Sequence, residues 1–335
     1  MNWQTVIISE FNRKNDDGIP LTSLISDLFS QQTAHWQRLR ENIHQRTLME
    51  TKTIALGQFA VQVQHNPARM PSTTAQVDSV SIQQRPCKLC PEQLFPEQKG
   101  VAYGDELVIL CNPFPILDRH LSIVHRNHVP QAISGRLPLL LDLAQDLADE
   151  FLLFYNGPRC GASAPDHFHV QACARESLPV LQHCDFIERD PIFQKYKETI
   201  RRDDELEVFT LKDYHVRLLV YAGTSRNRLV AGVEHTLQNL AALTGGLEEP
   251  LINLLVTFED PVWRIFLFPR AKHRPQSYYD GTLTLSPASL DLAGFLVIPV
   301  EEHFQAIRTE QIKQVYAEVS LESGRFNRLI KKMTS

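Results

Sequence analysis

Residues 167–171, His-Phe-His-Val-Gln, have the types and spacing to act on a phosphate group. In an extended strand alternate side chains point to the same face, so the pattern predicts His167, His169 and Gln171 together, with Phe168 and Val170 in a core. An imidazole is able to attack phosphorus, and neutral or cationic donors stabilise the oxygens that gain charge. A single strand histidine is more often packed or solvated, but three polar groups on one face of an apolar strand are costly to bury without a function.

The segment that leads into this motif is rich in small residues. It begins at Asn156-Gly157 and contains Gly161 and Ser163. Backbone amides of such a loop can approach an anion closely. We therefore expect Asn156, Gly161 and Ser163 to contact phosphate.

A second cluster lies at 269–275, Pro-Arg-Ala-Lys-His-Arg-Pro. Four cationic or potentially cationic groups between two prolines suit a phosphate or pyrophosphate. A solvated charged loop explains the same residues equally well. The candidates are Arg270, Lys272, His273 and Arg274.

A Cys-x-x-Cys pair, Cys87 and Cys90, precedes a segment that carries His120, His125 and His128. Thiolates from a tight pair, joined by imidazoles from separate strands, suit tetrahedral zinc. A lone Cys-x-x-Cys also fits a redox pair or two unrelated cysteines. The redox interpretation is less favoured because no helix of a βαβ unit begins at Cys87.

These motifs together resemble the HIT (histidine-triad) superfamily: His-x-His-x-Gln after a Gly/Ser loop, the Asn-Pro-x-Pro start at 112–115 and the histidine that ends that segment. The resemblance is to the transferase branch, which contains galactose-1-phosphate uridylyltransferases, diadenosine tetraphosphate phosphorylases and GDP-hexose phosphorylases. HIT hydrolases typically have a third histidine at the position of Gln171. The resemblance implies that His169 is the nucleophile and forms a covalent nucleotidyl intermediate, while Gln171 holds the phosphoryl oxygens.

The same resemblance implies a metal and further phosphate contacts. Bacterial uridylyltransferases bind a zinc ion that would be structural here, and the matching ligands are Cys87, Cys90, His128 and His167. His120 and His125 compete with His128 for the third position. Related phosphorylases also carry a Pro-Arg-x-Lys stretch near the substrate phosphates, which favours a phosphate role for 269–275.

The predicted elements form two similar series. Strands at 107–110 and 120–124, a helix at 137–155 that ends at Asn156-Gly157, and the motif strand resemble a HIT half-domain. The second half repeats this order with strands at 206–211 and 216–221, a helix at 226–243 stopped by Gly245-Gly246, and strands at 251–258 and 263–268. The last strand contains no histidine, so this half is a degenerate repeat.

We therefore predict an α+β fold of tandem HIT-like half-domains, with a mainly antiparallel sheet and flanking helices. Residues 81–185 form the N-terminal catalytic half and 186–335 the degenerate C-terminal half. Residues 1–80 form an extension that packs on the core, with a helix from 20 to about 50 and a strand or hairpin at 51–66. An exposed loop is predicted at 67–86.

The composition is that of an ordinary soluble protein, with 335 residues, 43% hydrophobic and 22% charged. A net charge of −5 argues against general binding to nucleic acid or a membrane surface. The sequence shows no secretory signal and no apolar run that would span a bilayer, and six cysteines do not indicate a disulfide scaffold. A cytoplasmic location is expected.

The predicted function is ping-pong nucleotidyl transfer from a nucleoside diphosphate sugar or a dinucleoside polyphosphate. The acceptor would be phosphate or a sugar 1-phosphate. The alternatives are a nucleotide hydrolase of HIT type and a zinc-stabilised nucleotide-binding protein without turnover. The base, the sugar and the natural acceptor are not set by the sequence. Transferases of this branch are often dimers, which makes a homodimer the assembly to test.

Overall fold

The computed structural model describes residues 1–13, 18–175, 178–246 and 249–334. Its strands are β1 Ile7–Phe11, β2 Thr51–Leu56, β3 Phe59–His65, β4 Gly100–Tyr103, β5 Leu107–Cys111, β6 Leu121–His125, β7 Phe151–Asn156, β8 His169–Ala174, β9 Lys197–Arg202, β10 Leu206–Leu211, β11 Leu219–Gly223, β12 Ile252–Glu259, β13 Val262–Pro269 and β14 Phe295–Ile298. Its α-helices are α1 Trp3–Val6, α2 Leu21–His35, α3 Gln37–Thr47, α4 Met70–Thr73, α5 Ser79–Gln83, α6 Leu137–Asp146, α7 Pro179–Arg189, α8 Arg226–Thr244, α9 Gln276–Tyr279, α10 Ser289–Leu292, α11 Glu301–Ala306, α12 Thr309–Val319 and α13 Ser323–Thr334.

The main sheet has the strand order β1-β4-β5-β6-β8-β7-β12-β13-β11-β10-β9. The series β4, β5, β6, α6, β7, β8 in the first half is repeated by β9, β10, β11, α8, β12, β13 in the second. The two series meet where β7 pairs with β12 in antiparallel register, so the strand order on one side mirrors the other. This arrangement confirms the predicted α+β fold with its mainly antiparallel sheet; β1 is the strand that joins β4 in parallel.

The two faces of the sheet are covered by different layers. Phe168 and Val170 are fully buried on one face, among side chains of α2, α6 and α8. The opposite face packs on the small sheet β14-β3-β2 and on the C-terminal helices α11 and α12. Because side chains alternate along a strand, Gln171 points to this second face.

One predicted element is wrong. The helix expected at 137–155 ends at Asp146, and Phe151–Asn156 is strand β7. All six residues of β7 are buried, and the strand pairs with β8 on one side and β12 on the other. A short, continuous apolar run does not distinguish a buried strand from a buried helix. Here the segment is a strand because it pairs with neighbours on both sides in the middle of the sheet. Asn156-Gly157 therefore ends a strand and not a helix.

The N-terminal region agrees with its predicted elements in part. The helix predicted from 20 to about 50 is interrupted at Trp36, which separates α2 from α3. The hairpin predicted at 51–66 is present as β2 and β3, whereas the 67–86 loop contains the short helices α4 and α5. The main sheet runs continuously across the proposed boundary at 185/186, and that division stays a prediction. Every helix in the described ranges is too short or too polar to span a bilayer.

His215 is a partly buried titratable group on the second face of the sheet. Both ring nitrogens are buried, and among the described residues they have no hydrogen-bond partner. The ring packs on Tyr214 and Tyr316. Burial lowers the pKa of His215 to about 3, compared with about 6.5 in an unfolded chain. Below about pH 6.5 the unfolded state therefore binds a proton that the folded state does not bind. The free energy of unfolding decreases as the pH falls through this range.

We expect the variant His215→Phe to gain stability relative to the wild type as the pH falls. The gain in free energy of unfolding should be about 2 kcal/mol larger at pH 5 than at pH 7, measured by urea denaturation. Phe59→Leu is the control, because Phe59 packs in the same aromatic cluster but carries no titratable group. Equal effects of His215→Phe at the two pH values would contradict the assignment.

Candidate active site

A cavity of about 450 Å³ opens on the second face of the sheet. His169 and Gln171 of β8 line its floor, next to Asn156 at the end of β7. Its walls come from an N-terminal segment at residues 68–116, from the loop before β8 and from the segment after β13. They include Arg69, Lys88, Phe95, Phe114, Gly161, Ser163, His273, Arg274 and Asp291. The predicted catalytic pair thus lies in a concave site built from three distant parts of the chain.

The ring of His169 is oriented by the backbone. Its Nδ1 lies 2.8 Å from the carbonyl oxygen of His167, which can only accept, so Nδ1 carries the proton and Nε2 keeps a lone pair. Burial lowers the pKa of His169 to about 4, and the ring is therefore neutral at pH 7. Gln131 holds the backbone of the same residue: its Oε1 accepts from the His169 N–H at 2.8 Å and its Nε2 donates to the His169 carbonyl at 2.9 Å.

The amide of Gln171 also has a determined orientation. The backbone N–H of Ile116 donates to Nδ1 of His120 at 3.1 Å, so the proton of His120 is on Nε2. That nitrogen lies 2.9 Å from Oε1 of Gln171 and donates to it. The Nε2 amino group of Gln171 consequently faces the cavity as a hydrogen-bond donor.

Asn156 presents a second donor for the same reason. Its Oδ1 accepts from Nδ2 of Asn253 at 2.8 Å and from the backbone N–H of Ser289 at 2.9 Å. Since the oxygen is used in this way, Nδ2 is directed to the cavity, and among the described residues it has no hydrogen bond to protein. His169, Gln171 and Asn156 therefore offer one lone pair and two amide donors to the same space.

Cys87, Cys90, His128 and His167 converge beside this cavity, and their ligand atoms lie within 4.8 Å of one another. Nδ1 of His167 is 3.3 Å from Sγ of Cys87 and 3.6 Å from Sγ of Cys90, and Nδ1 of His128 is 3.4 Å from Sγ of Cys90. Sulfur and nitrogen ligands of a tetrahedral zinc ion are roughly 3.5 Å apart, given bond lengths of about 2.3 and 2.0 Å. The four residues fit a tetrahedral metal ion.

The other ring nitrogens of the two histidines have partners outside the cluster. Nε2 of His167 donates to the carbonyl of His125 at 2.7 Å, and Nε2 of His128 lies 3.7 Å from a carboxylate oxygen of Asp166. Such contacts orient imidazole ligands and leave the facing nitrogen free for a metal. The competing residues lie elsewhere: the His120 side chain bonds Gln171, and Nδ1 of His125 accepts from the Asn127 N–H at 3.0 Å.

The cationic cluster at 269–275 is divided by the structure. His273 and Arg274 line the cavity, where burial lowers the pKa of His273 to about 3. Arg270 does not line it: its side chain is buried, and the guanidinium donates to five protein acceptors. Lys272 also lies outside, paired with Glu318 at 2.6 Å. Arg270 and Lys272 were expected to contact phosphate. The structure instead places them outside the cavity, with their donors bonded to other groups of the protein.

The loop before β8 approaches the C-terminal half closely. Gly161 has a φ of 97°, and a Cβ at this position would lie 2.6 Å from Cβ of Ala288. Only glycine fits this conformation and this gap. On the same loop, Oγ of Ser163 accepts from Nζ of Lys88 at 3.0 Å.

Several residues of the site were missed at the sequence level. Lys88, between the two cysteines, reaches the cavity; the surrounding protein and the nearby guanidinium of Arg85 lower its pKa to about 8. Arg69 lines the cavity from the 67–86 segment, and within the described part of the chain its guanidinium has no hydrogen bond or ion pair. Gln131 and His120 act on the motif from separate loops. Only Lys88 had a local signal, its place inside the Cys-x-x-Cys pair.

Comparisons with known proteins divide the chain into two matched regions. Residues 28–174 match the family model described as Domain of unknown function (DUF4922), and residues 187–335 match the model described as GDPGP1-like, C-terminal domain. No curated protein matches the sequence significantly.

Solved structures share the fold at low sequence identity. Yeast Ap4A phosphorylase Apa2 in complex with Ap4A aligns over 90% of this chain and 97% of its own, with 16% identity and a TM-score of 0.58. A second structure of the same yeast enzyme aligns over 84% and 94%, with 17% identity and a TM-score of 0.52. A uridylyltransferase mutant reaches a TM-score of only 0.41, at 12% identity over 78% of this chain and 97% of its own.

We expect Gln131→Glu to destabilise the fold around β8. The carboxylate can accept from the His169 N–H but cannot donate to the carbonyls of His169 and Asn156, which Nε2 of Gln131 now bonds. Unpaired buried groups cost about 1–3 kcal/mol each, so the free energy of unfolding should fall by roughly 2–4 kcal/mol. Gln93→Glu, at the exposed rim of the same cavity, is the control. Equal stabilities of the two variants would contradict this role of Gln131.

Proposed function

We propose that this protein belongs to the nucleotidyltransferase and phosphorylase branch of the HIT superfamily and transfers a nucleotidyl group through a covalent bond to His169. Its proposed donor is a nucleoside diphosphate sugar or a dinucleoside polyphosphate. Phosphate or a sugar 1-phosphate is the proposed acceptor. The enzymes of similar fold act on related molecules: the yeast relative is an Ap4A phosphorylase.

The observation that carries this proposal is the set of oriented groups on the cavity floor. His169 directs the lone pair of Nε2 away from the hydrogen bond that Nδ1 makes to the backbone. The amide nitrogens of Gln171 and Asn156 are directed to the same space by partners that occupy their oxygens. A nucleophile with two donors that need no reorganisation matches the needs of attack at a phosphorus atom.

In the first step, Nε2 of His169 attacks the α-phosphorus, and the bond from that phosphorus to the bridging oxygen breaks. The phosphorylated leaving group takes the electron pair, and the charge that develops on the phosphoryl oxygens is met by Gln171 and Asn156. In the second step an oxygen of the acceptor phosphate attacks the same phosphorus. The P–N bond breaks and its electron pair returns to Nε2.

The cavity walls favour an anionic leaving group and acceptor. Lys88 and Arg69 lie on the wall, and Lys88 also contacts Ser163. The nearby carboxylates are engaged: Asp166 pairs with Arg85 at 2.8 Å, and Asp291 accepts from two backbone N–H groups. These cations thus remain available for substrate phosphates, as do His273 and the N–H of Gly161. We keep Asn156, Gly161, Ser163, His273 and Arg274 as proposed phosphate contacts and add Lys88 and Arg69.

We further propose that Cys87, Cys90, His128 and His167 bind zinc. Zinc would supply structural cross-linking between the Cys-x-x-Cys loop and the entry to β8. His167 belongs to this cluster and its carbonyl also holds Nδ1 of His169, so the cluster braces the nucleophile. Lys88 and Leu89 lie between the two cysteines, and both line the cavity.

The test of the function is intact-protein mass spectrometry after incubation with GDP-, UDP- and ADP-sugars or diadenosine tetraphosphate, in the absence of phosphate. We expect the wild type to gain the mass of one nucleotidyl group and His169→Ala to gain none. His235→Ala, which removes a histidine from the exposed face of α8 outside the cavity, is the control and should keep the adduct. Donor consumption without an adduct would favour the hydrolase, and intact donors with bound nucleotide would favour a binding protein without turnover.

The metal assignment is tested separately by elemental analysis of the purified protein. We expect about one zinc ion per chain and a loss of most of it in Cys87→Ser, together with a lower melting temperature. Cys184→Ala, at a buried cysteine of α7, should keep the metal. Unchanged zinc in Cys87→Ser would contradict the site, and two reactive thiols in a metal-free wild type would favour the redox alternative.

A further inference from the structure

We infer that Arg270 and Asn253, both from the C-terminal half, are positioning residues that orient the amide of Asn156 for phosphoryl binding. This inference rests on the proposed function, since it assigns a role to the donor that Asn156 presents to the cavity. It assigns a function to an arginine that does not touch the cavity and to a half of the chain whose last strand lacks a nucleophile.

The orientation is passed along a chain of hydrogen bonds that begins at a group with donors only. The guanidinium of Arg270 donates from Nη1 to Oδ1 of Asn253 at 2.6 Å. Because that oxygen accepts, Nδ2 of Asn253 must be the side that meets Oδ1 of Asn156 at 2.8 Å and the carbonyl of Cys160 at 2.7 Å. Each amide therefore has one possible orientation, and the last one directs its amino group into the cavity.

Arg270 is itself held as a fixed starting point. Its five N–H donors have five acceptors, of which four are backbone carbonyl oxygens and one is Oδ1 of Asn253. The side chain is buried, with 1% of its surface exposed, and no carboxylate within the described ranges forms an ion pair with it. Burying an arginine among neutral acceptors is costly, and a fold that needed only packing at this position would be served by an apolar side chain.

Ser289 closes the arrangement from another segment. Its backbone N–H donates to Oδ1 of Asn156 at 2.9 Å, and its hydroxyl lies between that oxygen and the carbonyl of Tyr155. Asn156 and Asn253 are also register partners in the β7–β12 pairing that joins the two halves. The seam between the halves is thus the place where the C-terminal half acts on the catalytic half.

The variant that tests this inference is Asn253→Asp. A carboxylate still accepts from Arg270 but has no N–H to donate, so two oxygens would face each other at the contact with Asn156. We expect the amide of Asn156 to turn, so that its amino group donates to the new carboxylate at the expense of the bonds from Ser289, and the cavity to lose its donor. Loss of one such donor costs about 10²–10³-fold in rate. Formation of the nucleotidyl adduct should therefore slow by about 10²-fold in Asn253→Asp and in Asn156→Ala.

A double-mutant cycle distinguishes positioning from general damage to the fold. If Asn253 acts through Asn156, the double variant should form the adduct no more slowly than Asn156→Ala alone. Asn239→Asp, which adds the same charge on the outer part of α8, is the control and should match the wild type. An adduct rate of Asn253→Asp equal to the wild type would overturn the inference, as would a full multiplication of the two single effects.

Two further measurements apply if Asn253→Asp does not fold or if the wild type forms no adduct. If Asn253→Asp does not fold, Arg270→Lys, which has fewer and less fixed donors, should slow the adduct and follow the same non-additive pattern with Asn156→Ala. If the wild type forms no adduct, the proposed function fails by itself. In that case titration calorimetry with GDP, UDP and ADP decides the inference: weaker binding in Asn253→Asp than in Asn239→Asp supports it, and equal binding overturns it.

Discussion

The determined orientation of two side-chain amides is the constraint on which the rest of this site depends. An amide is a donor on one side and an acceptor on the other, and a site that stabilises anionic oxygens needs the donor side. In this protein the orientation of each amide is fixed by a group that can only donate. The N–H of Ile116 acts on Gln171 through His120, and Arg270 acts on Asn156 through Asn253. The carbonyl of His167 can only accept, so it fixes the proton of His169 on Nδ1.

The sheet brings these separate controls together. Strand β8 carries His169 and lies between β6 and β7, while β12 of the second half joins the far side of β7. Residues that orient the amides therefore come from both halves, although the cavity floor belongs to the first. The N-terminal segment and the residues after β13 then form walls over the floor, and the cluster of Cys87, Cys90, His128 and His167 brings the Cys-x-x-Cys loop against the entry of β8. The proposed chemistry therefore depends on residues from both sides of the β7–β12 pairing that joins the two repeats.

The sequence was informative where chemistry and spacing coincide. The alternation in 167–171 predicted which side chains enter the core, and the four predicted metal ligands meet in space. The β7 strand was not predictable, because a short buried run carries no periodic signal and its identity comes from pairing with β8 and β12. The positions of Arg270 and Lys272 were not predictable either: a charge run looks the same whether its donors face a ligand or the backbone of the same protein. Gln131 and His120 act across distant segments, and no local pattern marks the contact of Gln131 with His169 or that of His120 with Gln171.

The most direct test of covalent transfer is the stereochemical course at the α-phosphorus. A donor with a chiral phosphorothioate at that position would be converted by the wild-type protein, and the configuration of the product would be determined by ³¹P nuclear magnetic resonance. Each displacement inverts the phosphorus, so attack by Nε2 of His169 followed by attack of the acceptor predicts net retention. Net inversion would show a single direct displacement and would contradict the account.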